Sequence, residues 1–225
     1  MKIAVLGTGM VGQTLAAAFA ALGHEVMIGT RDVAQALSYS QPNAFGVAGF
    51  GEWIKDHPEI KVGTLTEAGA FSDLVVNAVK ASTSIRALEA VGADNLCGKV
   101  LVDLGNVLDT STGGPPRSLA NDELGLAEQI QQRFPEARVV KTLNTMFAPV
   151  MVNPQLVPGE STVFLSGNDA GAKATVQELL KDFGWSDILD LGDISSARAV
   201  EMLMPLWLRN YSAIGSTAFN LKVVR

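Results

Sequence analysis

Apolar residues in this chain fall into short dense runs divided by turn-forming residues. Lys2–Leu6 is the first run and ends at a glycine, the pattern of a strand buried on both faces. Val11–Leu22 is alanine-rich and favours helix, with Gly23 placed to cap its end. Glu25–Ile28 reads as a second strand. Strand, glycine turn, helix and strand thus fit within 28 residues, the size of a βαβ unit. The rhythm continues: Asp73–Val79, Val100–Leu104, Arg138–Leu143 and Thr162–Ser166 predict further strands. Asp122–Phe134 and Asp169–Phe183 predict helices between them. Such alternation implies an α/β fold with a mostly parallel sheet covered on both faces.

Two stretches depart from the rhythm. Thr110–Arg117 is polar and turn-forming, and reads either as a lid or as an ordinary surface loop. Ser195–Leu221 predicts a long helical segment, with a kink or break expected at Pro205. Its middle, Met202–Leu208, is apolar on every face. It must therefore be buried on several sides or covered by a partner subunit, and a homodimer is expected.

At 225 residues, one well-formed domain spanning 1–225 is the expectation. The chain is 48% hydrophobic and 18% charged, which excludes disorder and coiled coil. The formal charge of −6 provides no basic field for nucleic acid or an anionic membrane. A single cysteine, Cys97, excludes a disulfide scaffold or a Cys-type zinc site and suits a reducing cytoplasm. The stretch after Met1-Lys2 loosely mimics a signal peptide. Gly7, Gly9 and Gly12 interrupt it where a secretory helix would be continuous, so a cytoplasmic location is expected.

Gly7-Thr8-Gly9-Met10-Val11-Gly12 matches G-x-G-x-x-G, and it follows a strand and opens a helix as that motif requires. Gly7 permits the tight turn, Gly9 lets backbone approach a pyrophosphate, and Gly12 lets helix and strand pack closely. Free N–H groups and the positive helix end then hold the phosphates. The expected architecture is a Rossmann-type doubly wound sheet followed by a C-terminal helical segment. Dinucleotide choice rests on the end of the second strand. Thr30 and Arg31 there offer a hydroxyl and a guanidinium fork suited to a 2′-phosphate, which favours NADP over NAD. Asp32, 20 residues after Gly12, is the competing ribose ligand expected of an NAD site.

The opening VLGTGMVGQTLAAAFAALGHEVMIGTRD resembles the NADPH-dependent coenzyme F-420 reductases, also called F-420:NADP oxidoreductases. The segment RVVKTLNTMFAPVMVNP and the ending GDISSARAVEMLMPLWLRNYSAIGSTAFNLKVVR are similar to that family too, and SSARAVEMLMPLWL discriminates best. The resemblance implies hydride transfer between NADP(H) and the deazaflavin ring of F-420, in a subunit that is usually dimeric. It places Thr8 near the pyrophosphate, Thr30 and Arg31 on the 2′-phosphate, and Arg198 on the deazaflavin side. Met202 and Met204 stand where archaeal members carry hydroxyl residues, and Asn144 where they carry histidine. Relatives of this kind include the NADPH-binding domains of membrane metalloreductases, which makes a flavin (FMN or FAD) the alternative acceptor.

His24 and His57 lie away from the expected carboxyl edge of the sheet and read as surface residues. Val79 and Lys80 end the third strand run, where a nicotinamide should lie. Lys80 could donate a proton, bind an acidic acceptor, or remain solvated. Hydride exchange between two ring cofactors needs no acid–base side chain, since the cofactors carry the reaction; no catalytic residue and no metal is implied. The acceptor pocket is expected from Asn144, Thr145, Met146, Phe147 and Pro149, joined by Met202, Met204 and Trp207 from the C-terminal segment. Core or subunit packing is the alternative for Met202 and Trp207. Arg198 and Glu201, spaced i, i+3, form either a helix-surface ion pair or part of the site. Reduction of a small carbonyl or imine, and non-catalytic NADP(H) sensing, are the two competing functions.

Overall fold

The apolar runs lie side by side in one sheet. The structure is a computed structural model describing residues 1–43, 45–109, 117–118 and 124–225. Its first unit is β1 (Lys2–Leu6), α1 (Met10–Ala21) and β2 (Glu25–Thr30), followed by short helices α2 (Val33–Ser38) and α3 (Phe50–Trp53). Next come β3 (Lys61–Thr64), α4 (Leu65–Phe71), β4 (Leu74–Asn77), α5 (Ser84–Val91), α6 (Ala93–Leu96) and β5 (Val100–Asp103). Two-residue strands β6 (Leu108–Asp109) and β7 (Arg117–Ser118) pair apart from the main sheet. The rest comprises α7 (Leu126–Arg133), β8 (Arg138–Thr142), α8 (Ala148–Val152), β9 (Val163–Gly167), α9 (Ala170–Asp182), β10 (Ile188–Asp190), α10 (Ala197–Glu201) and α11 (Met204–Ile214).

The main sheet has eight strands in the order β10-β9-β8-β5-β4-β1-β2-β3. All its pairings are parallel except β8 with β9, so the expected mostly parallel, doubly wound sheet is what forms. β1 lies between β2 and β4, and the chain winds outward from it in both directions. The crevice outside the carboxyl ends of β1 and β4 is therefore the topological switch point, where this architecture takes its ligands. Alternation along β1 explains the double cover. Ile3 and Val5 join the core beneath α1 and α9, while Ala4 and Leu6 join the opposite core with Leu88 of α5 and Ile130 of α7.

Some elements differ from the sequence expectations. Ser195–Leu221 is not one long helix. It divides into α10 and α11, with Leu203 as N-cap and Pro205 in the first turn of α11, where proline's missing N–H is tolerated. Within the single chain the Met202–Leu208 run is not enclosed on several sides: Met202 is 47% and Leu206 48% exposed. Strands β3 and β10 had no apolar run long enough to announce them. The Thr110–Arg117 stretch lies outside the described residues except for Arg117, as does the start of the helix expected from Asp122.

Candidate functional site

The glycine-rich loop closes over the switch point. Gly7 has φ +111° and donates its N–H to Gly29 O of β2 at 2.9 Å. A Cβ there would sit 2.8 Å from Ala78 O, so the loop is wedged between the ends of β2 and β4. A Cβ on Gly12 would lie 2.1 Å from Gly7 O, which is why α1 can start so close to β1. Gly9 differs: a Cβ there would meet nothing within 4 Å. It leaves an open cradle at the start of α1, whose N-terminus has no side-chain cap and no acidic residue in its first turn. Unpartnered first-turn N–H groups facing that space suit a bound pyrophosphate.

Thr30 ends β2, partly buried, and Arg31 follows it, exposed. Asp32 has another task. Its Oδ1 accepts from Gln35 N at 2.9 Å and caps α2. Across the crevice, Val79 is partly buried and Lys80 exposed, just past β4. The backbone carbonyl of Lys80 accepts from Thr83 N and Thr83 Oγ1 in a short turn. His24 lies at the amino edge beside the N-terminal amine (3.3 Å), and His57 packs against Trp53 before β3.

Beneath the carboxyl edge lies a polar network that the sequence reading missed. Lys141 of β8 is wholly buried, 2.7 Å from Asp103 Oδ2 at the end of β5 and 3.0 Å from Glu201 Oε1 of α10. Lys141 also donates to Gly105 O. Glu201 accepts from Leu126 N and Ala127 N, satisfying the start of α7. Asn77 of β4 donates to Asp103 Oδ1 (2.7 Å) and Ser84 Oγ (2.5 Å), while its own Oδ1 is buried without a partner among the described residues. A charge inside the apolar run RVVKTL was the available signal, because a buried ammonium requires partners.

Glu201 therefore does not pair with Arg198. Arg198 instead grips Glu128 of α7 in a fork, Nε to Oε2 at 3.0 Å and Nη2 to Oε1 at 2.8 Å. The i, i+3 spacing placed Arg198 and Glu201 near one another on the same turn, but Glu201 is drawn inward by Lys141. The Arg198 hydrogen bond, aided by the N–H of Gly125, holds the Glu128 carboxyl below its usual range against the opposing effect of burial.

The expected acceptor wall follows β8. Leu143 has φ +59°, the one non-glycine residue in left-handed conformation among the described residues. It turns the chain into Asn144, whose Nδ2 donates to Asn106 Oδ1 (2.9 Å) and Val200 O (3.1 Å). Asn144, Thr145 and Met146 are buried, so in this structure their side chains do not line an open surface. Phe147 and Pro149 are partly exposed. Of the C-terminal candidates, Met204 is partly buried and Met202 exposed. Trp207 stacks on Tyr211 (5.7 Å) and Phe219 (5.3 Å), which occupies its ring with local packing.

A family profile described as NADP oxidoreductase, coenzyme F-420-dependent, matches residues 2–107. The F-420-dependent NADP reductase of Methanothermobacter marburgensis is 29% identical over 210 residues, covering 92% of this chain and 90% of that protein. A metalloreductase of Rattus norvegicus is 28% identical over 92% of this chain but only 38% of its own length. A crystal structure from an Arthrobacter species, provisionally assigned as an F-420-dependent NADP reductase, is 51% identical with a TM-score of 0.95, covering the whole of both chains.

Proposed function

Because the chain belongs to the coenzyme F-420-dependent NADP oxidoreductase family, we propose that it passes a hydride between NADPH and the planar deazaflavin ring of F-420 at this sheet edge. When bound, NADPH supplies the hydride and F-420 receives it together with a proton from water. The side chains bind, orient and exclude solvent. The open cradle at Gly9 and the first turn of α1 fit the pyrophosphate. Thr30 and Arg31 fit the 2′-phosphate, and Val79 and Lys80 border the nicotinamide half. Phe147 with Met204 fits the ring acceptor. Asn144 and the buried Lys141 network hold that wall against the sheet, keeping two flat rings in register, which is the main contribution such transfer needs.

One observation supports this coenzyme choice above others. The carboxylate nearest the strand tip, Asp32, is committed to a helix cap, leaving Thr30 and the exposed Arg31 to meet the ribose. A ribose-binding acid would repel a 2′-phosphate; the Asp32 carboxylate, its Oδ1 2.9 Å from Gln35 N, caps a helix instead. The test is calorimetry with NADPH and NADH, followed by NADPH oxidation with F-420, FMN, FAD and ferric chelates in parallel. Tighter NADPH binding with turnover on F-420 is the expected result. Equal affinity for NADH, or turnover on none of these acceptors, overturns the assignment.

The chain is also inferred to work as a homodimer in a reducing cytoplasm. Helix α11 contributes no buried residue, and Met202, Leu206, Tyr211 and Ile214 are between 37% and 57% exposed. A second copy covering this face would account for the apolar run. Light scattering giving a monomer mass would refute it. No helix among the described residues is long and apolar enough to cross a membrane.

A further inference from the structure

The segment between α2 and α3 is absorbed by none of the roles above, yet it joins the two halves of the site. It carries no charged residue from Val33 to Gly51. Its tip is a tight knuckle. Asn43 Oδ1 accepts from Phe45 N (2.9 Å) and Val47 N (3.0 Å), and Asn43 O accepts from Gly46 N (3.0 Å), with Gly46 at φ +77°. The knuckle presents Phe45, which is 53% exposed, against Phe147, with ring centres 5.2 Å apart and planes tilted by 58°. Phe147 in turn packs on the core. Three residues after Phe45, at Ala48, Gln13 of α1 ties the same segment to the glycine-rich loop: its Nε2 donates to Thr8 O (3.1 Å) and to Ala48 O (3.4 Å). Gln13 is buried, and its Oε1 has no partner among the described residues.

Phe45 and Phe147 together put two aromatic rings, one of them 53% exposed, on an uncharged stretch beside the sheet edge, a surface suited to a flat apolar ring. We propose that Phe45 is a specificity-determining residue for the hydride acceptor: with Phe147 it forms the aromatic wall on which a fused planar ring, deazaflavin or flavin, packs. This rests on the acceptor reading above and adds a residue to it. With 53% of Phe45 exposed, the ring has free surface for offset stacking, the arrangement aromatic systems favour. Through Ala48 and Gln13, the wall is anchored to the loop that cradles the pyrophosphate, so both ligands bear on one segment.

The test uses the full chain saturated with NADP+, titrated calorimetrically with oxidised F-420 and, separately, with FMN. Wild type, Phe45→Ala and Phe45→Tyr are compared. Phe45→Ala should weaken ring binding about tenfold, the range expected of one aromatic stack, with Phe45→Tyr within about twofold of wild type. NADP+ affinity and the thermal midpoint should be unchanged, because the side chain is half in solvent. Which of F-420 and FMN binds identifies the ring. If wild type binds one of them and Phe45→Ala binds it equally well, the role of Phe45 is overturned while the acceptor reading stands. If wild type binds neither, the acceptor reading itself falls and Phe45 with it. A change of oligomeric mass in Phe45→Ala would assign the ring to a subunit contact and likewise overturn the proposal.

Discussion

Asn106 and Asn144 clasp one another: Asn106 Nδ2 donates to Asn144 O at 2.7 Å, and Asn144 Nδ2 donates back to Asn106 Oδ1 at 2.9 Å. The pair stitches the loop after β5 to the loop after β8, directly outside the carboxyl edge. Asn144→Ala keeps the backbone acceptor of Asn106 Nδ2 but removes the return bond to Asn106 Oδ1 and the bond to Val200 O, leaving a buried carbonyl short of a donor. The expected cost is about 1–3 kcal/mol in urea unfolding. The KM for the acceptor should rise more than the KM for NADPH, since the wall shifts and the phosphate cradle does not.

The Lys141 network should be far less forgiving. Lys141→Met leaves the Asp103 and Glu201 carboxylates buried without their ammonium, with an expected loss of about 3–5 kcal/mol. For a domain whose total stability is about 5–15 kcal/mol, that approaches unfolding. Differential scanning calorimetry checks it. A thermal midpoint within a degree or two of wild type would mean that water or another cation compensates.

Two glycines of one motif should fail in opposite ways. Gly12→Ala forces a methyl against Gly7 O and should lower the thermal midpoint. Gly9→Ala meets no atom of the protein, so folding should be unaffected while NADPH affinity drops at least about tenfold from obstruction of the phosphate. Paired melting curves and NADPH titrations distinguish the two effects.

Arg31→Ala should weaken NADPH by about 1.5–3 kcal/mol, the worth of a charge-assisted contact, and barely alter NADH. Asp32→Ala should instead cost about 1 kcal/mol of stability through the lost cap. Unchanged NADPH affinity in Arg31→Ala would remove the 2′-phosphate assignment.

Acid should loosen the C-terminal tail. The Asp187 carboxyl is held at about 2 against an ordinary 3.8, chiefly by the Thr162 hydroxyl (2.5 Å), then by Lys222 (2.9 Å) and Arg225 (2.7 Å). A depressed folded value means the stabilisation is present above about pH 4 and is lost as pH falls through about 2. Asp187→Asn should therefore melt below wild type near neutral pH, with the gap closing as pH drops from 3.8 toward 2. A gap independent of pH across that window would exclude the carboxylate as its source.

The central strands, α1 and the glycine-rich loop were legible because they are specified locally. A strand buried on both faces must be apolar throughout, and a turn that excludes Cβ must be glycine. The C-terminal segment was harder. Its composition announced a helix, but the break between α10 and α11 depends on where Pro205 falls relative to a helix start. The β3 and β10 edge strands are short and half-solvated, so no hydrophobic run marks them.

Sequence by itself determined the doubly wound α/β architecture, the glycine-rich turn at Gly7–Gly12 between β1 and α1, and the position of Thr30 and Arg31 at the end of β2. It could do so because periodicity and glycine spacing act between residues close in the chain. Only the tertiary structure decided that Asp32 caps a helix, that Arg198 takes Glu128 as its partner, and that Lys141 draws Glu201 inward across 60 residues of chain. It alone set Phe45 against Phe147, 102 residues apart. Buried charges and aromatic rings take whichever partners the packed layers bring within a few ångströms, and no local pattern records that choice.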